Sequence, residues 1–141
     1  MANALYSLWK NGLMTAGANV SLDQNTVQDG PYLSLQDTAT HPFSDTDQFY
    51  NAVESFVVGT TQRLTSPTVG TVAAGVFDAA DVTFTAVSGA TAETLIVYRH
   101  NSGASSTWRL VAFIDGVTGL PVTPNGGDII ITFNASGIFK L

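Results

Sequence analysis

Five residues near the end of the chain, Pro124-Asn125-Gly126-Gly127-Asp128, raise the first chemical question. A glycine-rich turn cradles phosphate when it joins a strand to a helix N-terminus and carries a Lys and a Ser or Thr at fixed positions after it. Here Asp128 and then Ile129-Ile130-Ile131-Thr132-Phe133 follow, a strand pattern behind an anion that repels phosphate. The positive backbone angles open to Asn and Gly instead predict a reversal, after which 128–133 pairs as a strand and "GIFKL" returns to finish the sheet. The other candidates for chemistry are sparse. His41 and His100 stand in separate predicted loops, and neither has the further ligands that zinc requires. Asp45 with Asp47, and Asp78 with Asp81, are close in sequence but lack the additional oxygens and bidentate Glu of a calcium loop. They read as a helix cap and a turn. No strand-to-helix elbow selects one Ser as a nucleophile, and nothing marks Glu54 or Glu93 as half of a glycosidase pair. The "NAS" at Asn134 matches a glycosylation acceptor, which matters only in a eukaryotic secretory protein. The expectation is a non-enzymatic protein with no cofactor and no metal.

Composition narrows the partners. The 141 residues suit one domain. Charged residues make up 11%, against about 25% in ordinary globular chains. Ser and Thr fill roughly a fifth of the sequence, so the polar faces are hydroxyl faces. Such a weakly charged surface suits a protein packed into a larger assembly. A net charge of −6 with five Lys and Arg leaves little to neutralise a row of phosphates, so direct nucleic-acid binding is not expected. Absence of cysteine excludes disulfides, thiolate metal sites and cysteine nucleophiles. No run has the length of a membrane-spanning helix, and the first residues lack a secretory core, so no membrane partner and no export are expected.

The elements that must position these residues are mostly strands. Leu5, Leu8, Trp9, Leu13 and Met14 recur at helical spacing behind Asn3, predicting an N-terminal helix over about 3–16 with Asn3 as its cap. That helix is either a docking arm that buries Trp9 in a neighbouring subunit or a cover over the end of its own β-core. Tyr32-Leu33-Ser34-Leu35 alternates as one strand, and Ser44 with Asp47 ahead of Phe49, Tyr50 and Val53 suggests a second short helix. From residue 56 the period becomes two. The runs "FVVGTTQRL", "TVGTV", "GVFDAADVTFTAV", "ETLIVYRH", "WRLVAFID", "DIIITF" and "GIFKL" are rich in β-branched and aromatic residues and bounded by turn formers. "TLIVY" and "LVAFI" are apolar throughout, which predicts central strands covered on both faces and joined as a hairpin through "RHNSGASST". The expected fold is all-β, a β-sandwich or jelly-roll-like barrel with one or two short helices. It forms a single domain over 1–141, with an N-terminal helical arm over 1–17 and a β-core over 18–141.

The opening "MANALY", the middle "GVFDAADVTFTAVSGATAETLIVY" and the closing "LVAFIDGVTGLPVTPNGGDIIITF" with "GIFKL" resemble a group of small virion proteins of tailed bacteriophages. The likeness spans the N-terminal segment and essentially everything from residue 75 onward. The segment from Asn25 to Phe43 departs from that pattern, which has a longer valine-rich strand after the first helix. The resemblance implies a structural protein made in the host bacterial cytoplasm and built into the virion. As a capsid decoration (cement) protein it would sit on the capsid exterior, bind the major capsid protein and self-associate as a trimer or dimer. A tail, neck or fibre component is the alternative within the particle. A carbohydrate or host-surface binding module is the alternative outside that class, with His100 and Trp108 in the loop "HNSGASSTW" meeting sugar. The candidate interface residues are Tyr6, Trp9, Leu13, Tyr32, His41 and Phe43, while Trp108 and Phe113 are expected in the core.

Overall fold

The computed structural model describes residues 3–24 and 26–141; Met1 and Ala2 of the "MANALY" match, and Asn25, lie outside the described residues. The fold is mostly β, as the period-two runs predict. Chain order is β1 (Ala4–Leu5), α1 (Ser7–Met14), β2 (Gly30–Gln36), β3 (Val57–Arg63), β4 (Thr68–Val69), β5 (Val76–Asp78), β6 (Val82–Phe84), β7 (Thr94–His100), β8 (Arg109–Ile114), β9 (Ile129–Ile131) and β10 (Phe139–Lys140). These form three antiparallel sheets: β1-β8-β7-β2-β3, β10-β5-β4 and β6-β9.

The large sheet is covered on both faces. Strand β7 sits at its centre, and all but its last residue are buried. On one face Tyr98 stacks on Tyr50 at 4.0 Å between ring centroids, and Phe113, paired with Ile96, meets Phe43 at 5.1 Å. The segment 43–56 thus roofs that side. On the other face Leu95 joins Ile131 of β9, and one apolar cluster continues through Phe77 and Phe84 of the small sheets. Alternation along β7 sends Leu95 and Val97 one way and Ile96 and Tyr98 the other, which is why the run is apolar throughout.

The hairpin through residues 101–108 is far longer than β7 and β8. Beyond Leu95–Arg99 paired with Arg109–Ile114, Ala92 pairs with Val122, and Val82–Phe84 pair with Ile129–Ile131. Residues 82–100 and 109–131 are therefore the two arms of one ribbon that leaves the large sheet and ends in the β6-β9 sheet. This overturns the reversal expected at Asn125-Gly126-Gly127, because the chain runs on through it. Gly126 N–H donates to Val87 O at 2.8 Å, and Val87 N–H donates to Gly127 O at 2.9 Å, so two residues stand opposite one. With Gly126 at φ 87° this is the pattern of a G1 β-bulge. A bulge needs the same positive φ as a tight turn, so the local composition fits both. Strand β9 pairs with β6, and "GIFKL" does not return beside it; Phe139 and Lys140 pair with Phe77 and Val76 instead.

The helices also differ from expectation. Helix α1 spans Ser7–Met14, not 3–16, because Ala4 and Leu5 are drawn into pairing with Phe113 and Ala112 of β8. Asn3 is not its cap: its Oδ1 accepts the Asp115 and Gly116 N–H groups at 2.8 and 3.1 Å. The second expected helix is a pair of 3-10 turns, Tyr50–Ala52 and Glu54–Phe56. Ser44 Oγ meets Thr46 Oγ1 there rather than capping a helix.

Candidate docking surface

Helix α1 does not project as an arm. Tyr6, Trp9 and Leu13, at i, i+3 and i+7, form one face, and the first two are buried in the chain's own core. Trp9 Nε1–H donates to Val20 O at 3.1 Å, and its ring meets Phe139 edge-on at 5.9 Å. Gly12 permits the close approach of the following loop, since a Cβ there would stand 2.8 Å from Val20 Cγ1. The Tyr6 and Trp9 rings are thus buried within the chain's own core, with Trp9 also forming part of the groove wall described below. Burial also pushes the Tyr6 phenol well above its ordinary pKa, with Asp47 and Asp45 adding to the shift.

The remaining expected interface residues scatter. Phe43 is half-buried between Tyr6 and Phe113. His41 stacks on Phe56 at 4.6 Å and pairs with Asp47 at 2.9 Å, so it is held against the roof segment. Tyr32 lies in β2 beside Tyr98 and His100, and its hydroxyl donates to Val27 O at 2.8 Å. These three do not share a surface with Leu13. Trp108 is half-buried against Tyr50, Tyr98 and His100. Trp108 Nε1–H donates to Gly103 O and His100 Nδ1–H to Gln28 O, both at 2.9 Å, so these polar ends serve the chain's own loops.

Leu13 opens onto an apolar groove of about 330 Å³ between α1 and the β10-β5-β4 sheet, lined with Trp9, Val69, Phe77, Phe139 and Leu141. A shallower hollow continues from it along α1 past Lys10 and Met14, sharing Leu13 and Leu141. Met14 is 78% exposed, Leu141 60% and Val69 56%, so three large apolar side chains rim one surface. Covering each would return about 1.5–3 kcal/mol of hydrophobic free energy at full burial. Sequence reasoning placed Met14 and Leu13 on the helical face but missed Val69 and Leu141. Phe139 and Leu141, two apart in "GIFKL", were the available signal, since alternation puts them on one face.

Two anchors hold this side of the molecule. Asp45 accepts the Ser7 N–H at 2.9 Å and the Ser7 hydroxyl at 2.6 Å, tethering the first turn of α1 from outside. Those bonds, with Lys10 nearby, hold its carboxyl below the usual range. Arg99, 3% exposed, donates from Nε to Ser21 O at 2.6 Å and from Nη1 to His100 O, and reaches Gln24 and Asp29. Desolvation lowers its pKa, and the carbonyls and Asp29 offset that cost, so Arg99 holds Ser21, which lines the groove, together with Gln24 and Asp29.

Among the described residues no three His, Cys, Asp or Glu side chains gather as a metal site, and no helix is long and apolar enough to cross a membrane. The surface offers apolar contact rather than reactive groups. Comparison of the sequence with protein families and with characterised proteins finds no match.

Proposed function

We propose that this protein is a non-enzymatic structural component of a tailed-bacteriophage virion, and specifically a capsid decoration protein that binds the major capsid protein lattice. The observation that carries the docking role is the apolar surface beside α1, where Met14, Val69 and Leu141 remain exposed around a groove. The virion assignment is supported by the likeness of "LVAFIDGVTGLPVTPNGGDIIITF" to small phage virion proteins and by the hydroxyl-rich, weakly charged composition. A cement protein stiffens a shell by repeating modest contacts over a lattice, so each site can be small. A trimer or dimer on the particle multiplies the same contact.

Heating purified particles with and without the protein tests this role. Particles lacking it should release DNA at a lower temperature, and adding the purified protein back should restore the wild-type release temperature. Identical release curves would overturn the cement reading.

A further inference from the structure

We infer that the cleft between β1 and β10 receives an extended strand from a partner chain. Both strands end their sheets, and the same cleft of about 230 Å³ is lined by Asn3, Ala4 and Leu5 with Ala112, Phe113 and Ile114 of β8 behind them on one side, and by Ile138, Phe139 and Lys140 on the other. Hydrogen-bond phase shows which backbone groups of the two edge strands their own sheets leave unused. Tyr6 N–H donates to Val111 O, so in the alternating ladder Leu5, opposite Ala112, turns its own N–H and C=O away from β8. Leu141 N–H donates to Gly75 O, so Lys140, opposite Val76, likewise turns its N–H and C=O away from β5. Two strand edges with unused donors and acceptors therefore border one slot. A strand laid between them would pair on both sides and join the five-stranded and three-stranded sheets into one.

The slot favours a strand over a folded surface. A stable folded interface needs about 800 Å² from each partner, which a narrow cleft cannot present. Its walls carry Leu5, Phe113 and Ile138, so a segment alternating apolar and small polar residues would bury one row and leave the other in water. Recognition of this kind takes its affinity from main-chain hydrogen bonds. The cleft also shares Asn3, Ile114 and Ile138 with a larger hollow of about 530 Å³, which gives the entering segment room to continue. The inference does not depend on the virion reading.

The test uses the full chain extended after Leu141 by a flexible Gly-Ser linker and a Thr-Val-Thr-Val-Thr-Val segment, which supplies the strand at millimolar effective concentration. Amide exchange at Leu5 and Lys140, read by NMR, should slow by about tenfold or more relative to the unextended chain. The same extension with Pro at every second position should give no protection, and Lys140→Pro should weaken the protection of Leu5. Unchanged exchange at both amides in the Thr-Val extension would overturn the inference. Protection in the unextended protein that tracks a monomer–dimer equilibrium would also overturn it, because the occupant would then be a second copy.

Discussion

Gly126 and Gly137 share a positive φ, 87° and 95°, but their surroundings assign them different costs. A Cβ at Gly126 meets nothing within 4 Å, so Gly126→Ala carries only the left-handed backbone penalty, about 1–2 kcal/mol. A Cβ at Gly137 would fall 2.2 Å from Val76 Cγ1 and 3.0 Å from Phe77 O. Gly137→Ala should therefore cost clearly more, on the order of 3 kcal/mol or above, and urea unfolding of the pair gives the ranking. Asp45 offers a second test at this scale. Asp45→Ala removes both Ser7 bonds and should cost roughly 0.5–1 kcal/mol, near the low end for a cap because the site is exposed. Since the folded carboxyl lies below its ordinary 3.8, the contribution is complete above that value and disappears as pH falls through the lowered one. The wild-type and Asp45→Ala unfolding curves should converge in acid and separate at neutral pH. The asparagine-glycine-glycine run shows why one residue motif underdetermines structure: of its three residues only Gly126 takes a positive φ, which serves a bulge here where a turn was expected.

At the scale of elements, strands with strong period-two or continuous apolar patterns are legible in the sequence. Strands β3, β7 and β8 fall inside the runs "FVVGTTQRL", "ETLIVYRH" and "WRLVAFID", and β7 and β8 pair as expected. Pairing of the short strands was not legible. Strands β5, β6, β9 and β10 are two or three residues each, too short for local propensity to name a partner; β6 and β9 are paired by the course of the long ribbon, and β5 and β10 lie outside it and pair across roughly sixty residues of chain. The start of α1 was misplaced for a related reason, since Ala4 and Leu5 gain more by extending the edge of β8 than by adding a helical turn. Of the expected interface residues Leu13 and Trp9 line the groove, and Leu13 is the more exposed of the two, because helical spacing locates a face but not which part of it stays uncovered. Leu13→Asp should leave the β-core folded while weakening attachment to particles, and a co-sedimentation assay with stripped capsids measures that loss. Trp9→Ala, by contrast, should cost about 3–5 kcal/mol of stability, because Trp9 is buried between α1, Val20 and Phe139.

Across the whole molecule, three buried phenols make stability sensitive to alkali. Burial raises Tyr6 and Tyr50 far above the ordinary value of 10.0 and pushes Tyr98 up to about 12. A raised folded pKa means the folded state holds protons more tightly, so the contribution is intact below about pH 10 and declines as pH rises toward and beyond 12. Tyrosinate absorbance should appear in two stages, with these phenols ionising only as the near-ultraviolet circular dichroism is lost. The proposed decoration role is tested most directly by copy number. Quantitative mass spectrometry of purified particles should find this chain in near-stoichiometric proportion to the major capsid protein. Its presence in only the few copies of a neck or tail ring, or its absence from the particle, would contradict the decoration role.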